Sequence, residues 1–158
     1  MMDFRRDFSE KLESSRFQRE CRRIEKLCEE FSDQIEQVFE IHIRRIYGRV
    51  EGVTAESARQ RYTCRLGEFR PAVDFYAQYL RVAVDGKQLC IALTRPADEK
   101  PLVHYIVGKS ETKPVDADDS IYIRGRSLKE LPASDFRADT FDPQDFHRLL
   151  VEELIESL

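Results

Sequence analysis

The chain has 158 residues, 41% apolar and 35% charged, with a formal net charge of −4. That length suits one core-forming domain with a helical extension, and the charged excess fits a long solvated or self-associating helix. The mild acidity argues against whole-molecule attraction to nucleic acid or anionic membrane, and no apolar run approaches the ~20 residues that span a bilayer.

The opening "MMDFRRDFSEKLE" has charges where a signal peptide needs an apolar core. The four cysteines include no C-x-x-C pair, so reduced thiols and a cytoplasmic location are expected. A zinc site would have to gather Cys64, Cys90 and His104 without any ligand spacing, and no metal or cofactor is expected.

Residues 3–47 contain neither glycine nor proline, and strong helix formers dominate them, so helix is predicted up to Gly48. Phe17, Ile24, Phe31 and Val38 recur every seventh residue, with Leu27 and Ile41 three further on. This is an a/d seam, weakened by Glu20 and Gln34 at the other two d positions. Charge falls in blocks: "RFQRECRRIEK" is basic, "EEFSDQIEQVFE" acidic and "RRIYGR" basic. Such blocks would meet in an antiparallel pair, or within an αα-hairpin hinged where Asp33 and Glu36 could form a capping box. One continuous helix and the hairpin both remain open. The first half, sparse in apolar residues, is expected to project or pair, and the second half to be buried. Phe17, Ile24, Leu27 and Phe31 are the candidate partner-binding residues.

After Gly48, "TAESARQR" looks like a short capped helix or turn, and "RYTCRLG" alternates as a half-buried strand. In "YLRVAVDGKQLCIALTR", Asp85-Gly86 sits between two apolar runs. A type I′ turn there pairs Val84 with Lys87, Val82 with Leu89, Leu80 with Ile91 and Gln78 with Leu93. Tyr79, Arg81, Ala83, Gln88, Cys90 and Ala92 then take the opposite, solvent face. The same triplet could serve a metal-dependent nuclease only if Asp74 joined Asp85 and Lys87 in a cleft.

A strand, "LVHYIVGK", follows Pro101. The loop "SETKPVDADD" offers Asp116, Asp118 and Asp119 as oxygen ligands but lacks the glycine and terminal glutamate of a calcium loop. "SIYIRGR" alternates as another strand, and "SLKELPASDFRADTF" reads as a turn of helix or an irregular return. Asp142 caps a last helix begun by Pro143, with Phe146, Leu149, Leu150, Leu154 and Ile155 facing inward.

The expected architecture is α+β: a helical region over residues 1–48, then residues 49–158 as an antiparallel meander of about five strands closed by a C-terminal helix. No glycine-rich phosphate loop occurs. His42, His104 and His147 have no serine or cysteine beside them in sequence, so no catalytic residue is identified. The leading functional expectation is a cytoplasmic interaction or adaptor module without catalysis, with a protein partner or a second copy bound through the N-terminal helix. The alternative is a nucleic-acid-binding or acidic-partner face built from Arg61, Arg65, Tyr79, Arg81, Tyr122, Arg124 and Arg126, where arginines and tyrosines could pair phosphates and stack bases. A metal-dependent nuclease is a further alternative.

Overall fold

The computed structural model describes residues 3–66, 72–110 and 125–156. Its first element is one rod without a break: α1 (Phe4–Val38), a π turn (Phe39–Ile43) and α2 (Arg44–Tyr47). At 1.5 Å per residue the rod is roughly 66 Å long. Asp3 starts it, its carboxylate accepting from the backbone N–H groups of Arg5 and Arg6 at 3.1 and 3.2 Å. The hinge at Asp33 is not used. Glu36, its would-be capping partner, instead accepts from the Ser57 hydroxyl at 3.0 Å.

The buried residues of α1 are Ile24, Cys28, Phe31, Ile35 and Val38, spaced four, three, four and three apart. This stripe holds three of the expected a positions, Ile24, Phe31 and Val38, but not Phe17, and takes Cys28 and Ile35 in place of Leu27 and Gln34. After Val38 the next buried residues are Ile43 and Tyr47. The π turn supplies the extra residue that this five-residue step needs. It keeps the rod's inner face over the sheet and turns Ile41, expected in the seam, outward to 47% exposure.

Five strands follow in meander order, each antiparallel to the next: β1 (Val53–Cys64), β2 (Val73–Val84), β3 (Lys87–Thr94), β4 (Leu102–Lys109) and β5 (Arg126–Pro132). The fold is α+β, as expected. Asp85 and Gly86 both take positive φ, 49° and 79°, as a type I′ turn requires. Val84 pairs with Lys87, Val82 with Leu89 and Leu80 with Ile91. The triplet is a turn.

β1 and β2 differ from expectation. "TAESARQR" is strand, not helix or turn, and β1 pairs with β2 without a register shift from Val53/Val84 to Cys64/Val73. Both strands nevertheless change faces partway along. Val53, Ala55, Leu80 and Val82 join the main core at one end, and Tyr62, Cys64, Phe75 and Ala77 join it at the other. The parity of the inward residues therefore flips in both strands at the same rungs, so pairing survives the corner. At that corner the Gln78 N–H donates to the Ser32 hydroxyl of α1 at 2.9 Å. The β2–β3 ladder stops at Leu80/Ile91, and the expected Gln78/Leu93 pair is absent from it. The Tyr62 hydroxyl donates to the Leu93 carbonyl instead.

The second correction concerns β5. Part of the segment read as an irregular return is the strand Arg126–Pro132, which pairs with β4 through a register shift between Tyr105 and Ile106. A closing proline is tolerated because this is an edge strand. The strand expected over residues 120–126 lies, apart from its last two positions, outside the described residues.

A 3₁₀ turn (Ala133–Asp135) leads to α3 (Pro143–Leu150), which runs into a second π turn (Val151–Ile155). Asp142 caps α3, accepting from the N–H groups of Gln144 and Asp145 at 3.0 and 3.3 Å. Phe146, Leu150 and Leu154 are buried, whereas Ile155 is exposed. Three contacts fasten this end to the rest. Lys129 meets Asp145 at 3.3 Å, Arg126 meets Glu153 at 2.6 Å, and the Tyr47 hydroxyl meets Nδ1 of His147 at 2.8 Å. Burial pushes Tyr47 up to about 12, so it stays protonated and donates.

One main core therefore draws on α1, α2, the sheet and α3. Within it, the side-chain amide of Gln60 is fully buried at the β1 corner, and among the described residues neither its oxygen nor its nitrogen has a hydrogen-bond partner. An unmet buried amide costs ~1–3 kcal/mol. Gln60→Met keeps the volume and removes that cost, so thermal unfolding followed by circular dichroism should show a more stable protein. A drop in melting temperature would mean that the amide has a partner.

Candidate interaction surfaces

The four residues expected to bind a partner separate into two groups. Ile24 and Phe31 belong to the protein's own core. Leu27 and Phe17 are half-buried and each lines a groove along α1. The larger groove, about 610 Å³, runs between α1 and the segments that flank β4 and follow β5. Its floor includes Leu27, Phe31, Pro101, Leu102, Pro132 and Phe136, with Glu30, Glu99, Lys100 and Arg137 among its polar lining. The Phe31 and Phe136 rings meet at 5.4 Å between centroids. The smaller groove holds Phe17 with Glu13, Arg16, Glu20, Arg65, Leu66 and Ala97.

Sequence reading passed over a third surface. No residue from 3 to 16 is fully buried, and Phe4, Phe8 and Leu12 are 76%, 69% and 39% exposed. They are four residues apart and so share one side of the helix. At 100° per residue this stripe points roughly 160° away from the direction of the buried stripe. It faces away from the sheet and cannot be covered by it. The i, i+4, i+8 spacing was readable in the sequence, but a search for sevenfold repeats does not find it.

The arginines and tyrosines of the alternative reading do not gather on one open face. Tyr79 is buried with Cys90, Ala92 and Ile106 in a second apolar cluster, on the face expected to meet solvent. Every residue of β3 from Gln88 to Thr94 is buried. The cue was the small apolar character of Ala83, Cys90 and Ala92, which suits a strand covered on both sides. The Arg81 side chain is only 13% exposed. It pairs with Glu56 at 2.5 Å and reaches the Gln88 side chain and the Ser110 hydroxyl at 3.3 and 3.4 Å. Arg126 is committed to Glu153 near α3, and Arg65 lies just past β1 at the smaller groove. Arg61, in β1, is half-buried. Tyr122 and Arg124 lie outside the described residues. An arginine–tyrosine stack does occur at a pair not singled out in the sequence, with the Arg59 guanidinium 3.9 Å from the Tyr76 ring centre.

Chemistry-bearing residues are likewise dispersed. Asp74 and Asp85 are eleven residues apart along extended β2, about 36 Å, too far to share an ion. Asp74 accepts from the Thr63 hydroxyl at 2.8 Å. Cys64 belongs to the core under α1 and Cys90 to the cluster on the other side of the sheet, so the two cannot hold one zinc ion. Among the described residues no group of three His, Cys, Asp or Glu could hold a metal, and Asp116, Asp118 and Asp119 lie outside them. None of the four cysteines forms a disulfide, and burial pushes Cys28 and Cys90 up to about 12, which keeps both thiols protonated near neutral pH.

His104 sits between β5 side chains, with Nδ1 3.0 Å from the Ser127 hydroxyl and Nε2 3.3 Å from Glu130. Burial lowers its pKa, and Glu130 opposes that shift. The trio stands on paired strands with Glu130 open to solvent, and it contributes to neither of the grooves along α1.

No helix among the described residues is long and apolar enough to cross a membrane. No family model matches the chain, and no curated protein or solved structure matches it either.

Because Arg81 is packed and paired, Arg81→Ala should act on stability. Losing a partly buried pair costs ~1–3 kcal/mol, or roughly 2–12 °C in melting temperature for a chain of this size. Arg59→Ala, at an exposed stack, should stay within ~0.5 kcal/mol. Equal melting temperatures for the two variants would show that Arg81 is not held as described.

Proposed function

We propose that this protein is a cytoplasmic interaction module that associates through the outward N-terminal turns of α1, and that the partner is a second copy of the chain. The observation behind this reading is the stripe of Phe4, Phe8 and Leu12, turned away from the sheet and exposed. Scattered exposed apolar residues are ordinary, but two phenylalanines and a leucine in register on one helical face form an anchor set for helix docking.

Charge favours a like partner. Residues 3–16 carry Asp3, Asp7, Glu10 and Glu13 against Arg5, Arg6, Lys11 and Arg16, so the segment is neutral and meets no charge barrier in its own copy. Burying each phenylalanine is worth ~1.5–3 kcal/mol before the cost of association. The result is weak, concentration-dependent assembly. A nucleic-acid-binding reading is less favoured because the Tyr79 and Arg81 side chains are already occupied.

Light scattering of the full chain from micromolar to submillimolar concentration should show an average mass that rises above one chain. Phe4→Glu with Phe8→Glu should hold the mass at one chain and leave the unfolding free energy within ~0.5 kcal/mol of the parent, since neither residue packs on the core. A parent that stays monomeric throughout, or a double variant that associates equally well, would remove the basis for this function.

A further inference from the structure

The outward stripe of α1 has a matching seat on the same chain, which it cannot itself reach. Phe8 and Leu27 stand nineteen residues apart on one rigid helix, about 28 Å along its axis, so no chain can fold its own stripe into its own groove. Resting on the reading above, we infer that Phe4, Phe8 and Leu12 of one copy dock in the groove lined by Leu27, Pro101 and Phe136 of another.

Shape and charge both select this seat. The groove is concave, about 610 Å³, and its floor is apolar where Leu27, Leu102 and the packed Phe31 and Phe136 rings meet. A helix presenting anchors at i, i+4 and i+8 is a common occupant of such a groove. Arg5 and Lys11 flank the stripe, Lys11 already paired with Asp7 at 3.2 Å, and Glu30 and Glu99 line the groove. Glu30 holds Lys26 only at 3.9 Å, and neither Glu99 nor the Arg5 guanidinium has an ion-pair partner among the described residues. The remaining polar lining includes Lys100 and Arg137. The other arrangement open to the stripe is the same stripe of a second copy.

A mixing experiment on the full chain separates the two arrangements. Phe8→Glu disables the stripe, and Leu27→Glu disables the groove at a half-buried position of the helix. Ala133→Glu blocks the same groove from the other wall, in case Leu27→Glu disturbs the fold. Sedimentation of each variant alone should show association weakened at least tenfold. An equimolar mixture of Phe8→Glu with either groove variant should recover a two-chain species, because the groove variant's stripe is intact and so is the Phe8→Glu groove. If Phe8→Glu dissociates while both groove variants associate like the parent, or if the mixtures stay monomeric, the groove is not the seat, although the stripe still is the contact. If no substitution changes the mass, both readings fail together.

Discussion

The packing of one helical stripe against the sheet determines the rest of this structure. Ile24, Cys28, Phe31, Ile35 and Val38 present a narrow apolar edge, and every element that forms the main core is positioned with respect to it. The π turn keeps Ile43 and Tyr47 on that edge where a regular helix would have rotated them off it. The β1–β2 corner answers the same constraint. Both strands exchange faces at the rungs where Ser32 takes the Gln78 N–H, so the hairpin stays in contact with α1 without losing a rung. Where β2 leaves β3, Tyr62 supplies the donor that the Leu93 carbonyl would otherwise lack.

The sequence disclosed those parts of the fold where local chemistry and tertiary demand agree. Asp85-Gly86 specifies a turn whose two positive φ values few other residue pairs accept, and the rungs beside it follow from apolar matching. Asp3 and Asp142 cap their helices where capping residues precede helical runs. The failures share a different cause. "TAESARQR" has polar, helix-compatible residues, yet it becomes strand because β2 offers it a partner along its whole length. β5, with Lys129 and Glu130 beside Leu128 and Leu131, has the mixed character of an edge strand, and its bulge breaks the alternation that would have revealed it. The covered second face of β3 is a tertiary fact, hinted at only by small side chains.

The candidate surfaces were legible to a similar degree. Sevenfold spacing reads as a partner-binding seam, but an apolar seam is equally suited to the protein's own sheet, and Ile24 and Phe31 are used there. Only the structure distinguishes the inner stripe from the outer one. The outer one is formed by Phe4, Phe8 and Leu12, whose spacing of four drifts round the helix and escapes a heptad search. Arg81 and Tyr79 show the same lesson on a strand: alternation says which side a residue takes, not whether that side is covered.

These features divide α1 by task along its length. Its C-terminal part holds the core together, and its N-terminal turns carry apolar side chains that the fold leaves exposed. Amide hydrogen exchange read by mass spectrometry, in dilute and in concentrated solution, tests that division directly. The account predicts strong protection of residues 24–38 at both concentrations, with residues 4–12 and the groove segment 132–137 slowing together only in the concentrated sample. Exchange across residues 4–12 that is equally fast at both concentrations would contradict it.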